Sequence, residues 1–265
     1  MSVRVAVAQT APSIGEVDAN VAAVERLVGS LAGSTDLLVL PELFTTGYRR
    51  DGLDHAALAE PIPQGSSLQR LSRAVEAANL SLVGTVLEAA DGQVYDTAVV
   101  IDPQGEVAAT YRKTHLYPAE RAHFGAGDRL VTTHVAGLHV GLAICFEHAF
   151  PEIFTELALA GAELIAIPSA VPVGFEHLLD LRTRARGQDN QVFVAAANLV
   201  GFDGQTQWCG SSMIVGPRGE VLARAGANSA EVIVAEIETA AISDERREEP
   251  ALANRRPALY PRLHT

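Results

Sequence analysis

Glu42, Lys113 and Cys145 supply a carboxylate, an ammonium and a thiol, each at the carboxyl end of a short, mostly apolar run. In combination they could do nucleophilic chemistry. The thiol attacks, the carboxylate takes its proton, and the ammonium stabilises the anion that forms. Lys113 is the single lysine of the 265 residues; Lys+Arg totals 20, so the remaining 19 basic residues are arginine. Arginine is a planar, permanently charged fork, whereas lysine is a compact ammonium that fits a tight, desolvated pocket. Each residue also has a plainer reading. Strong arginine bias can leave one lysine by chance, a cysteine can be a small buried hydrophobe, and a glutamate after a strand can be a solvated loop carboxylate.

The elements that must position these groups are legible as short β-like runs rich in Val, Ile and Leu. They include 3–8, 37–40, 80–87, 97–101, 107–112, 138–145, 164–167, 192–197, 211–215, 221–225 and 232–236. Helical patterns separate several of them. Val21, Val24, Leu27, Val28 and Leu31 share one face of a helix over 17–31. A second helix runs from Ser66/Ser67, with serine as the expected N-cap, to Ala78. A third opens at Pro151 and stops before Gly161, and a fourth spans 175–190. Alternating strands and helices give an α/β fold. The turns Asp102-Pro-Gln-Gly105 and Gly216-Pro-Arg-Gly219 predict two hairpins, hence mixed sheets and a hint of two related halves.

Net charge is −12, which disfavours nucleic acid and anionic membrane as partners. Two cysteines, Cys145 and Cys209, are too few for a disulfide scaffold. The N-terminus reads as a strand rather than a signal peptide, and no apolar run is long enough to span a membrane. A soluble, cytoplasmic protein is expected. One domain over 1–240 is expected, with a charged, then Pro- and Arg-rich tail over 241–265 lying on the surface or on a partner subunit. The histidines and cysteines lack zinc spacing and no phosphate-binding loop occurs, so neither a metal nor a nucleotide is expected.

Several stretches, in order, resemble the nitrilase superfamily of carbon–nitrogen hydrolases along nearly the whole chain. They are Leu38-Val-Leu-Pro-Glu42, Tyr111-Arg-Lys-Thr-His-Leu116, Gly141-Leu-Ala-Ile-Cys-Phe-Glu147, Phe150-Pro-Glu152 and Asn190-Gln-Val-Phe-Val194 with Asn198. Gly210-Ser-Ser212, Pro217-Arg-Gly-Glu-Val-Leu222, Arg256-Pro257 and Tyr260 continue the pattern. The resemblance implies a four-layer αββα sandwich with mixed sheets, assembled as dimers or larger homo-oligomers, with no cofactor. It implies a Glu42–Lys113–Cys145 triad, and Glu120 fits the place of the family's second glutamate. Glu120 also has a plainer role, as an ion-pair partner of Arg112 or Arg121.

The implied reaction is hydrolysis of a small aliphatic amide through a thioester on Cys145. Glu42 acts as general base, and Lys113 with the Phe146 N–H forms the oxyanion hole. Tyr48, His148 and Trp208 are candidate substrate-binding residues, and Cys209 reads as a pocket-wall or core thiol. Ala149 stands where many relatives carry arginine, which argues against a substrate carboxylate unless another arginine supplies the clamp. Glu147 or an acidic loop could anchor an amine-bearing substrate. The other readings are a nitrilase, an amidase for N-carbamoyl or ω-amide substrates, and a catalytically silent binding domain.

Overall fold

The computed structural model describes residues 2–260. Its first half contains β1 (Ser2–Gln9), α1 (Val17–Ser30), β2 (Leu37–Val39), α2 (His55–Leu58), α3 (Ser66–Ala78), β3 (Ser81–Ala90), β4 (Gln93–Ile101) and β5 (Val107–Arg112). The edge strand β6 (Thr132–Val135) leads into the second half. There follow β7 (Leu138–Leu142), α4 (Pro151–Leu159), β8 (Leu164–Ser169), α5 (Glu176–Asn190), β9 (Phe193–Asn198), a small hairpin of β10 (Val200–Phe202) and β11 (Gln207–Cys209), β12 (Met213–Val215) and β13 (Val221–Arg224). The chain then crosses back in β14 (Glu231–Glu238), and the described residues continue through α6 (Ala240–Glu248) to a 3-10 turn over Pro257–Leu259.

The two halves repeat one plan. β1, β2 and β3 are parallel neighbours, and β4 and β5 add antiparallel beyond them. β7, β8 and β9 are likewise parallel, and β12 and β13 add antiparallel. The helices α1 and α3 lie between the parallel strands of the first half, as α4 and α5 do in the second. The two Pro–Gly turns therefore occupy equivalent hairpins. With β14 pairing antiparallel to β1, and β6 to β7, each sheet has six strands.

The two sheets pack face to face. Alternate residues of β1, β2 and β4, such as Val5, Val39 and Val100, meet Val140, Ala166 and Ala195 from the other sheet in one buried cluster. The outer face of the first sheet is covered by Val21, Val24 and Val28 of α1 and Leu68, Leu71 and Val75 of α3. The outer face of the second is covered by Ile153, Phe154 and Leu157 of α4 and Leu179 of α5. These four layers are the αββα sandwich. Each such side chain, fully buried, contributes about 1.5–3 kcal/mol.

Local details differ from the sequence reading. Serine does not cap α3. Gly65 holds the N-cap position, and the carboxylate of Glu60 accepts the Ser67 N–H (3.0 Å) and the Ser66 hydroxyl (2.7 Å). A carboxylate placed there also meets the positive end of the helix dipole. β7 stops at Leu142, short of Cys145, because the chain enters a 3-10 turn over Cys145–Ala149. Helix α6 inserts Ile242 into the cluster between the sheets. No helix of the described residues is long and apolar enough to cross a membrane.

Candidate active site

Cys145 opens the 3-10 turn with a left-handed backbone, φ +42°. Non-glycine residues seldom occupy that region, and strain of this kind collects where a side chain must be aimed. Glu147 holds the turn in place. Its buried carboxylate accepts the N–H groups of Ile144 (2.7 Å), Thr114 (2.9 Å) and His115 (3.1 Å) and the hydroxyls of Tyr111 and Thr114 (both 2.6 Å). Burial alone would raise its pKa, but hydrogen bonds from His115, Thr114, Tyr111 and Ile144 bring it below the ordinary value. The carboxylate is thus fully engaged and cannot anchor a substrate amine.

A depressed folded-state pKa contributes stability that is complete above the unfolded value, about 4.3, and lost as pH falls through the folded value. Glu147→Gln places an N–H₂ group against N–H donors and is expected to cost about 2–4 kcal/mol near neutral pH. Urea unfolding of both proteins at successively lower pH checks this. The gap must shrink as acid protonates the wild-type carboxylate.

Glu42 follows β2 and Pro41. Its N–H reaches Ser169 O (3.4 Å), and the next residue, Leu43, turns through φ +48° with its N–H on Thr85 Oγ1. Lys113 follows β5, with its N–H on Asp96 O and its carbonyl accepting from Gly127 (both 2.9 Å). A Cβ at Gly127 would lie 2.2 Å from Arg112 O, so only glycine permits that approach.

The Lys113 ammonium is fully buried and donates to Glu42 Oε1 (2.6 Å) and Glu120 Oε1 (2.7 Å). Glu120 therefore does not pair with Arg112, which instead meets Glu88 (2.7 Å). A third buried carboxyl, Asp96, stands 3.7 Å from the same nitrogen. The run read from the sequence, 97–101, begins just after Asp96, whereas β4 extends over Gln93–Ile101 and carries Asp96 within it. Oxygens of Glu42, Asp96 and Glu120 lie within 4.8 Å of one another, close enough for a metal ion, yet the Lys113 ammonium already pairs with all three. Burial by itself would lower the lysine's pKa; the three carboxyls outweigh it and hold the pKa well above the ordinary value. The ammonium is a fixed positive charge.

Cys145 and Glu120 line one cavity of about 470 Å³. Ala170 N–H points at Cys145 Sγ (3.5 Å). Burial first, and the negative charge of Glu42 second, push the thiol well above its usual pKa. The resting group is a neutral thiol, and a nucleophilic role for it would need a base. Burial likewise lifts Glu42 well above the usual carboxylate range, against the pull of Lys113.

Phe146, Tyr48, His148 and Trp208 also line this cavity. Tyr48 donates its hydroxyl to Glu120 Oε1 (2.6 Å) and packs edge-on against Trp208. Both ring nitrogens of His148 are engaged, Nδ1 with Cys145 O (2.8 Å) and Nε2 with Thr183 Oγ1 (3.3 Å). Burial drops its pKa to about 4, so the ring is neutral and unsuited to a Cys–His pair. Cys209 is a core thiol, raised to about 11 mainly by burial.

A family model described as carbon-nitrogen hydrolase matches residues 4–247. The chain is 35% identical over 256 residues to an (R)-stereoselective amidase of Pseudomonas sp., covering 96% of this chain and 91% of that one. It is 33% identical over 250 residues to a nitrilase of Pyrococcus abyssi, covering 92% and 93%. A crystal structure of a carbon-nitrogen hydrolase from Helicobacter pylori G27 superposes with a TM-score of 0.92 at 26% identity, covering 100% and 99%. The chain belongs to the carbon-nitrogen hydrolase family, and is a nitrilase-superfamily hydrolase of carbon–nitrogen bonds other than peptide bonds.

Proposed function

We propose that the protein hydrolyses a small carboxamide to a carboxylic acid and ammonia through a thioester on Cys145. The observation that carries this reading is the buried Lys113 ammonium bridging Glu42 and Glu120, in the site onto which Cys145 opens. Glu42 takes the thiol proton as Sγ bonds to the carbonyl carbon. The oxyanion is met by Lys113 Nζ and the Phe146 N–H. The C–N bond breaks as Glu42 returns the proton to the leaving nitrogen, releasing ammonia. Water then gives a proton to Glu42 and attacks the thioester; the C–S bond breaks and Sγ is reprotonated. Glu120, held by Tyr48, fixes the lysine and faces the substrate nitrogen.

The test is rapid acid quench of turnover, followed by intact-mass measurement. An acyl group on Cys145 is expected, with ammonia released in a burst matching the enzyme concentration. Steady turnover without any acyl-enzyme would overturn the thioester route.

A second reading concerns the acyl chain. The cavity of about 470 Å³ is larger than a two- or three-carbon amide fills. Arg50 and Arg182 line it and form no ion pair among the described residues, whereas the neighbouring Arg49 meets Asp203 (3.6 Å). Ala149 is not part of the lining, so the missing arginine there does not decide the question. A carboxylate at the far end of the acyl chain suits this wall. Ammonia release from glutaramate and propionamide separates the readings: higher kcat/KM for glutaramate favours the anionic chain, and the reverse favours the small neutral amide.

A further inference from the structure

The mechanism above uses Glu42, Lys113, Glu120 and Cys145 and leaves Asp96 without a task. Asp96 is fully buried on β4. Among the described residues no donor meets either of its oxygens in good hydrogen-bond geometry, although the Thr85 hydroxyl lies beside it, and Glu42 Oε2 likewise lacks a donor. Oxygens of the two carboxyl groups lie within 4.8 Å of each other beside the same ammonium, acceptor against acceptor. Two ionised carboxylates cannot keep such a contact without water to screen them. One proton between them turns it into a hydrogen bond and supplies the missing donor.

The charge count leads to the same place. Three carboxyls surround one ammonium, and ionising all three would leave two uncompensated charges in the interior. We infer that Glu42 and Asp96 share a single proton in the resting enzyme, so that Asp96 is a positioning residue that sets the basicity of Glu42. This rests on the reading of Glu42 as general base.

The groups facing the pair are Lys113 after β5, Glu120 from the 3-10 turn Pro118–Ala122, Cys145 from the turn after β7, and Tyr48 through Glu120. Burial raises the Glu42 pKa most and Lys113 opposes it, while Asp96 and Glu120 raise it further. Lys113 is the only counter-ion in that set. A lone glutamate 2.6 Å from an ammonium would be a weak base. Burial offsets that, and the shared proton holds the pair at one negative charge, the charge that accepts the thiol proton.

Asp96→Asn and Asp96→Ser test the idea. In kcat/KM against pH, the acidic limb reports uptake of a second proton by the pair, the lower of its two titration steps, so loss of the proton-sharing partner is expected to move that limb up by about one pH unit or more, with KM little changed. A limb that stays in place in both folded variants overturns the inference. Infrared spectroscopy gives a readout without turnover. The C=O stretch of a buried protonated carboxyl is expected in the wild type and absent in both Asp96→Asn and Glu42→Gln. Persistence of that band in Asp96→Asn places the proton elsewhere and also overturns it. If the band behaves as expected but Glu42→Gln retains turnover, the pair stands and the assignment of Glu42 as base fails instead.

Discussion

Cys145→Ala is expected to lower ammonia release from any amide substrate by a factor on the order of 10⁴ or more. Among the described residues that line the cavity, Cys145 supplies the one thiol, and its neighbours are poorly placed to stand in for it. His148 is neutral with both ring nitrogens engaged, and Cys209 is a core thiol with its pKa raised to about 11. The substitution removes one sulfur from a half-buried position, so the thermal midpoint should move little. Substrate binding should survive, because Lys113, Glu120 and the cavity wall are unchanged. Turnover within tenfold of wild type would sink the cysteine mechanism. The readout is ammonia release over hours with the thermal midpoint measured in parallel.

Lys113→Arg keeps the charge and is nevertheless expected to lower kcat by about 10³-fold, the scale of losing an oxyanion donor. Lys113 Nζ is wholly buried and divided between carboxylates at 2.6 and 2.7 Å. A guanidinium is longer and planar, and spreads its charge over three nitrogens. Fitting it there displaces Glu42 or Glu120, and overpacking of this kind costs typically about 1–3 kcal/mol. The expected pattern is lost kcat, a lowered thermal midpoint and a modest change in KM. Activity within tenfold of wild type would show that any cation serves, and the single lysine among 19 arginines would then reflect composition alone.

Much of the frame could be read along the chain because it is built from local patterns. The parallel strands are apolar runs and α1 and α3 carry apolar stripes, so period and punctuation suffice. β6 and the β10–β11 hairpin escaped notice. They are three or four residues long, and pairing with neighbours defines them rather than composition. The cap of α3 was misread because Glu60, outside the helix, supplies a carboxylate that no local rule assigns.

Of the candidate site, the sequence by itself singled out the groups proposed to react. Glu42, Lys113 and Cys145 each follow a mostly apolar run, Glu120 follows Lys113 within seven residues, and the ordered motifs around them mark the family. Only the tertiary structure decided what state those groups are in. Burial makes the thiol neutral, Lys113 meets three carboxyls from separate elements, and Glu147 becomes a support for the Cys145 turn rather than a substrate anchor. Asp96 gains significance only because the β4–β5 pairing sets it beside Lys113. The physical reason is range. Periodicity and turn chemistry act between residues near in sequence, whereas desolvation and charge coupling depend on which distant side chains share a water-free space.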